Sequence, residues 1–218
     1  MNTLSKFFTD TRVTGLLYLG IALTGMFAFL FAKSTIYVDG DALATAANLV
    51  EKETLARAGI ALELVLVAFQ AFAALWFYKI FTKVNNFAAG MLAVFGMVNA
   101  VVILTASAMW FSALNASLAS DSANTVYSLF SIHESLWLVG NLFFGLWLIP
   151  MGYLALRASM PRALAGFLVL GGIGYILSAA VLIIFPTQVT LGELLPVPAT
   201  VGEFWMIGYL LVKPKLNT

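Results

Sequence analysis

The sequence predicts an all-α integral membrane protein, a bundle of six transmembrane helices, on three observations. Hydrophobic residues make up 62% of the 218 residues and charged residues 10%, where soluble proteins carry roughly a quarter charged. Nearly uncharged runs long enough to cross a hydrocarbon core of about 30 Å recur along the chain. The few charges outside those runs sort to opposite ends of them. A soluble fold has no means of hiding so many apolar runs.

The runs and their punctuation place the spans at about 13–32, 57–78, 87–113, 128–150, 163–185 and 199–212. The first follows Lys6 and Arg12 and is closed by Lys33. At about 20 residues it exceeds the 7–15 of a signal-peptide core, so it reads as a retained span. Between the first two spans, "DGDALATAANLVEKETLAR" predicts a short helix capped by Asp39 or Asp41. Its apolar side would be Ala42, Leu43, Ala46, Leu49 and Val50. The second span ends at Lys79, the third before "NASLASDSANT", the fourth near Pro150 and Arg157, and the fifth at Pro186. The sixth, stopped by Lys213 and Pro214, is short for a crossing. The whole chain, 1–218, reads as a single transmembrane domain.

An even number of spans puts both termini on one side. That side carries Lys6, Arg12, Lys79, Lys83, Arg157, Arg162, Lys213 and Lys215, and the other only Lys33, Lys52 and Arg57. Eight basic residues against three predict cytoplasmic termini. The absence of cysteine excludes disulfides, thiolate metal sites and cysteine nucleophiles. No block of like charge suggests nucleic acid. The openings "RVTGLLYLG" and "RALAGFLVLG", with one glutamate in each even span, suggest three helical hairpins; shared Leu/Gly-rich composition explains them equally well.

Those glutamates, Glu63, Glu134 and Glu203, are the candidate site, because a charged carboxylate at a bilayer centre costs about 2.5–3.5 kcal/mol on insertion scales. Counting from span ends puts all three at a similar level in the half away from the termini, with His133, the only histidine, beside them. Glu63 and Gln70 share a face, as do Glu134 and Asn141, because seven residues at 100° each fall only about 20° out of register. His133 and Glu134 point about 100° apart, so they are expected to address different neighbours, one on the second span and one on the sixth. Trp137 shares the azimuth of His133. Asn99, Tyr175 and Ser178 could complete the hydrogen bonds, while Arg57 should snorkel outward.

Three readings of this cluster stay open. It is a polar network that fixes helix packing, or an outward-facing pocket for a lipid, small ligand or metal, or a site that responds to protons. A metal would take His133, Glu63 and Glu203, but no HExxH spacing occurs and no cofactor is predicted. Ser131 and Ser135 lack a recognisable orienting group for a triad. The sequence leans away from an enzyme. A non-enzymatic ligand- or partner-binding protein, a membrane-embedded metal-dependent hydrolase using His133 and nearby glutamates, and a proton-linked carrier all remain. The bilayer is the expected partner; a homo-oligomer or another membrane protein is left open.

The segments "RVTGLLYLGIALTGMF", "GDALATAANL" with "RAGIALEL", "HESLWLVGNLFFGLWLIPMGYLALRASMPRALAGFLVLGGIGYIL" and "GEFWMIGYLLVK" together resemble a bacterial integral-membrane family, domain of unknown function 4386. The resemblance covers about residues 12–213, and Glu63, His133 and Glu203 fall on its matching positions. It implies six spans in a bacterial cytoplasmic (inner) membrane and no particular reaction.

Overall fold

The computed structural model describes residues 9–213, and among them every regular element is helical. Six helices are long and apolar enough to cross a membrane. In chain order the elements are α1 (Asp10–Ile36), α2 (Ala42–Glu51), α3 (Glu53–Phe81), α4 (Asn86–Leu118), α5 (Ala123–Arg157), α6 (Arg162–Ile184), α7 (Val189–Leu194) and α8 (Val197–Val212). Helices are the expected solution in lipid, since each satisfies its own backbone N–H and C=O groups where no water can. Lys6, Pro214 and Lys215, used in the orientation and span-end readings, lie outside the described residues.

The spans match the expected ones in number and order, and their ends differ for physical reasons. Helix α1 does not stop at Lys33. It runs on to Ile36 through a wide π turn over Ala28–Lys33, in which the Ser34 N–H reaches the Phe29 carbonyl. An exposed lysine ends a span, but this one has a carboxylate partner in Glu134. Helix α5 passes through Pro150 to Arg157, since helices in lipid tolerate the lost N–H when neighbours support the turn. The sixth span gains its missing length from α7: Val189–Val212 is 24 residues of apolar chain, its helix interrupted at Leu195 and Pro196.

Asp41, rather than Asp39, caps α2, its side chain accepting from the Ala44 N–H at 2.9 Å. The preceding Gly40 has φ +75°, the left-handed conformation that glycine adopts without strain. The buried face of α2 is Thr45 and Leu49, and Thr45 hydrogen-bonds the Val38 backbone. Leu43 and Val50, expected on that face, are exposed. The tertiary neighbours of α2 seat the Thr45 side inward, which periodicity alone does not specify.

The chain divides into two compact units. Among the described residues, the first gathers 9–19, Gln70–Asn99 and 139–213; the second is Gly20–Phe69 with Ala100–Leu138. In the first, α6 packs on α8 and α7. A Cβ on Gly145 or Gly172 would strike the other glycine's carbonyl oxygen, so the α5 and α6 backbones approach as only small residues allow. In the second, Ala32, Ile36, Leu49, Ala56, Ile60, Trp110, Leu114 and Phe130 form one core. Large apolar side chains such as Phe31, Leu30 and Val101 are exposed, as expected where the surrounding solvent is lipid.

Candidate functional site

A buried polar chain runs through the second unit, and each of its members is set by a different helix or helix face. Helix α3 carries Glu63, 2% exposed, and α5 carries His133, fully buried. Their side chains meet at 2.8 Å, His133 Nε2 to Glu63 Oε1. Trp137, one turn beyond His133 on the same face, donates its indole N–H to Glu63 Oε1 at 3.0 Å. From α4, the buried Ser107 hydroxyl lies 2.8 Å from Glu63 Oε2 and 2.9 Å from its own helix's Ile103 carbonyl. Both oxygens of Glu63 are therefore engaged, as a carboxylate in a dry interior requires.

The other edge of His133 corrects the sequence reading. His133 Nδ1 lies 3.0 Å from Glu134 Oε1, so the adjacent pair is hydrogen-bonded rather than divided between neighbours. The 100° between their Cα directions is real, but the glutamate has enough rotatable bonds to swing its carboxylate back to Nδ1, the nitrogen nearer the backbone. Glu134 Oε2 then meets Lys33 Nζ at 2.5 Å. Its partner comes from the first span, not the sixth, and Lys33 also sits 3.9 Å above the Phe29 ring. The π turn of α1 carries that lysine into place.

The result is a line, Lys33–Glu134–His133–Glu63–Ser107, that starts at a half-buried lysine and ends in the interior. Two carboxylates and one ammonium leave a charge of −1, which a doubly protonated imidazole would bring to zero. With both imidazole nitrogens facing carboxylate oxygens, each contact is satisfied when both carry hydrogen, or when one carboxyl holds the proton instead. Trp110 and Phe130 pack edge-on against the imidazole, each 5.3 Å from its centre, and wall it in with aromatic carbon.

The other sequence candidates sit in the first unit. Glu203 accepts a 2.7 Å hydrogen bond from the Tyr18 hydroxyl. Tyr18 in turn packs edge-on against Phe77 and Trp147, and Tyr175 stacks on Phe144. Gln70 is buried and donates a long 3.4 Å bond to the Gly96 carbonyl. Asn99 is fully buried, and neither atom of its amide has a hydrogen-bond partner. Asn141 is half-buried. Hydrogen bonds thus join Glu63, His133 and Glu134 but do not enlist Gln70, Asn99, Asn141 or Glu203. No three His, Asp or Glu side chains among the described residues are arranged to share an ion.

Sequence reasoning missed Lys33, Ser107 and Tyr18 as participants. Lys33 was legible as the cation that closes the first apolar run; Ser107 and Tyr18 carry no local signal of their own. Arg57 does turn outward, pairing with Glu53 on the exposed face of α3 at 2.7 Å.

Fold and site together define a multi-pass helical membrane protein with a buried chain of hydrogen-bonded titratable side chains. Over residues 13–213 the sequence matches a family described as Domain of unknown function (DUF4386), and the chain belongs to it. No curated protein and no solved structure matches the chain.

Proposed function

We propose that this is a non-enzymatic, proton-responsive membrane protein, a carrier or sensor, in which the Lys33–Glu134–His133–Glu63 chain takes up and releases the proton. One observation carries the reading: the titratable groups are joined end to end by hydrogen bonds, from half-buried to fully buried, rather than converging on a point as metal ligands do. Ser107 makes both protonation states of Glu63 tenable. When Glu63 is ionised the hydroxyl donates to Oε2; when Oε2 carries a proton the hydroxyl accepts it and donates to Ile103 instead. Neither state strands a buried polar atom. The excess of basic residues on the terminal side supports cytoplasmic termini, with the loops flanking α2 outside a bacterial inner membrane.

The single histidine makes the test direct. Imidazole ¹⁵N spectra of the protein in lipid bilayers, purified without a histidine tag, are recorded from pH 5 to 8. The expected outcome is a change in His133 protonation within that range whose midpoint moves in Glu134→Gln and Lys33→Met. A spectrum unchanged across the range, or a midpoint indifferent to both substitutions, overturns the reading.

A further inference from the structure

The first unit holds a separate feature that the buried chain does not use. A groove of about 990 Å³ lies where the end of α5 meets the start of α6, lined by Gly152, Tyr153, Arg157, Met160, Arg162 and Gly166 among others. Its walls combine two kinds of surface. Leu156, Met160 and Val169 supply an apolar floor, and Arg157 and Arg162 supply two guanidinium groups at the connection between the helices. Neither arginine is ion-paired to a carboxylate among the described residues, whereas Lys79 at a comparable helix end is paired to Asp10 at 2.7 Å. The turn is tight: Ser159 adopts φ 55° and the Met160 N–H returns to the Ala155 carbonyl at 3.0 Å. That short connection keeps the two arginines on one groove. Gly166 leaves it open, since a Cβ there would meet nothing within 4 Å.

We infer that this groove binds an anionic phospholipid, its phosphate between Arg157 and Arg162 and an acyl chain along the Leu156, Met160 and Val169 floor. Charge complementarity selects the occupant. Guanidinium groups pair with phosphate oxygens through directed N–H donors, and basic pockets between spans at a membrane surface favour anionic headgroups. A zwitterionic headgroup would bring its own ammonium toward two uncompensated cations. Phosphatidylglycerol has no such group. The groove volume falls within the range of small-molecule sites, enough for a headgroup and part of one chain.

The test is lipid retention by the full chain, measured by native mass spectrometry from nanodiscs containing equal phosphatidylglycerol and phosphatidylcholine of matched chains. The expected result is preferential retention of phosphatidylglycerol, reduced about tenfold or more in Arg157→Gln/Arg162→Gln. Arg157→Lys/Arg162→Lys should keep part of the preference, and Gly166→Trp should lose it with both arginines present, by filling the groove. Thermal unfolding of each variant separates lost binding from lost fold. Equal retention of the two lipids, a preference unaltered in a folded double glutamine variant, or displacement of the lipid by millimolar inorganic phosphate would each overturn the proposal, the last by identifying a soluble anion as the occupant.

Discussion

Glu63 and Glu203 are both glutamates on membrane-spanning helices, yet their surroundings differ in kind. Glu63 accepts from two side-chain donors, Trp137 and Ser107, and lies 2.8 Å from His133 Nε2; through His133 and Glu134 it is connected to an ammonium. Glu203 has a neutral phenol, Tyr18, in an aromatic setting of Phe77 and Trp147 around that tyrosine. One carboxyl group is joined to a line of titratable side chains that ends on an ammonium, the other accepts a single hydrogen bond from a neutral phenol. The lesson is that a similar placement of acidic residues on even spans does not make them equivalent; what sets them apart is which side chains the other helices bring.

The comparison predicts effects of graded size. The largest should follow Glu63→Ala, which removes the shared partner of His133, Ser107 and Trp137, leaves Ser107 only the Ile103 carbonyl and uncouples the imidazole from its inner carboxylate. A loss of about 3–5 kcal/mol is expected, the range for breaking a buried ion pair by removing one partner, read by denaturant unfolding in mixed micelles. Glu63→Gln should cost less, because the amide can still accept from Ser107 or Trp137. If Glu203→Ala proves as damaging as Glu63→Ala, the contrast between the two sites fails.

Next in size is a stabilising change. Asn99→Leu removes a fully buried amide with neither atom hydrogen-bonded, and should raise stability by about 1–3 kcal/mol, the cost of an unsatisfied buried polar group. A loss of stability would mean that the amide is satisfied in the membrane by something bound there. Lys33→Met should cost about 1–2 kcal/mol, since Glu134 keeps His133 and is only partly buried, 24% exposed at the side chain. The double change Lys33→Met/Glu134→Gln should recover part of that loss, and a double-mutant cycle with no coupling would detach Lys33 from the chain. The smallest effect belongs to Tyr18→Phe, which deletes one neutral donor: about 0.6 kcal/mol, typical of interhelical hydrogen bonds in bilayers.

Much of this was legible in the sequence. Six spans and their order follow from apolar run length against bilayer thickness, and His133 and Glu63 stand out because an ionisable group in such a run requires a partner. The helix ends were less legible. A lysine at residue 33 and a proline at 150 look like stops by local chemistry, and both lie inside continuous helices. Lys33 is no stop because its carboxylate partner, Glu134, lies 101 residues away in sequence, beyond the reach of local chemistry. The separation of His133 from Glu134 was misread because helical azimuth describes Cα–Cβ directions and says little about where a long, flexible side chain ends.

The sequence by itself determined the environment and the inventory: a chain too apolar for water, six crossings, no thiol, one imidazole, and acidic groups that could not be left uncompensated. Local composition suffices for these, because the transfer of a segment into lipid depends on that segment alone. Only the tertiary structure decided the pairing, with Lys33 on Glu134, Glu134 and Glu63 on either side of His133, and Tyr18 on Glu203. Those choices depend on which helices become neighbours and on a single wide turn in α1, and in a bilayer, where every face is apolar, such packing leaves little trace in the periodicity of any one helix.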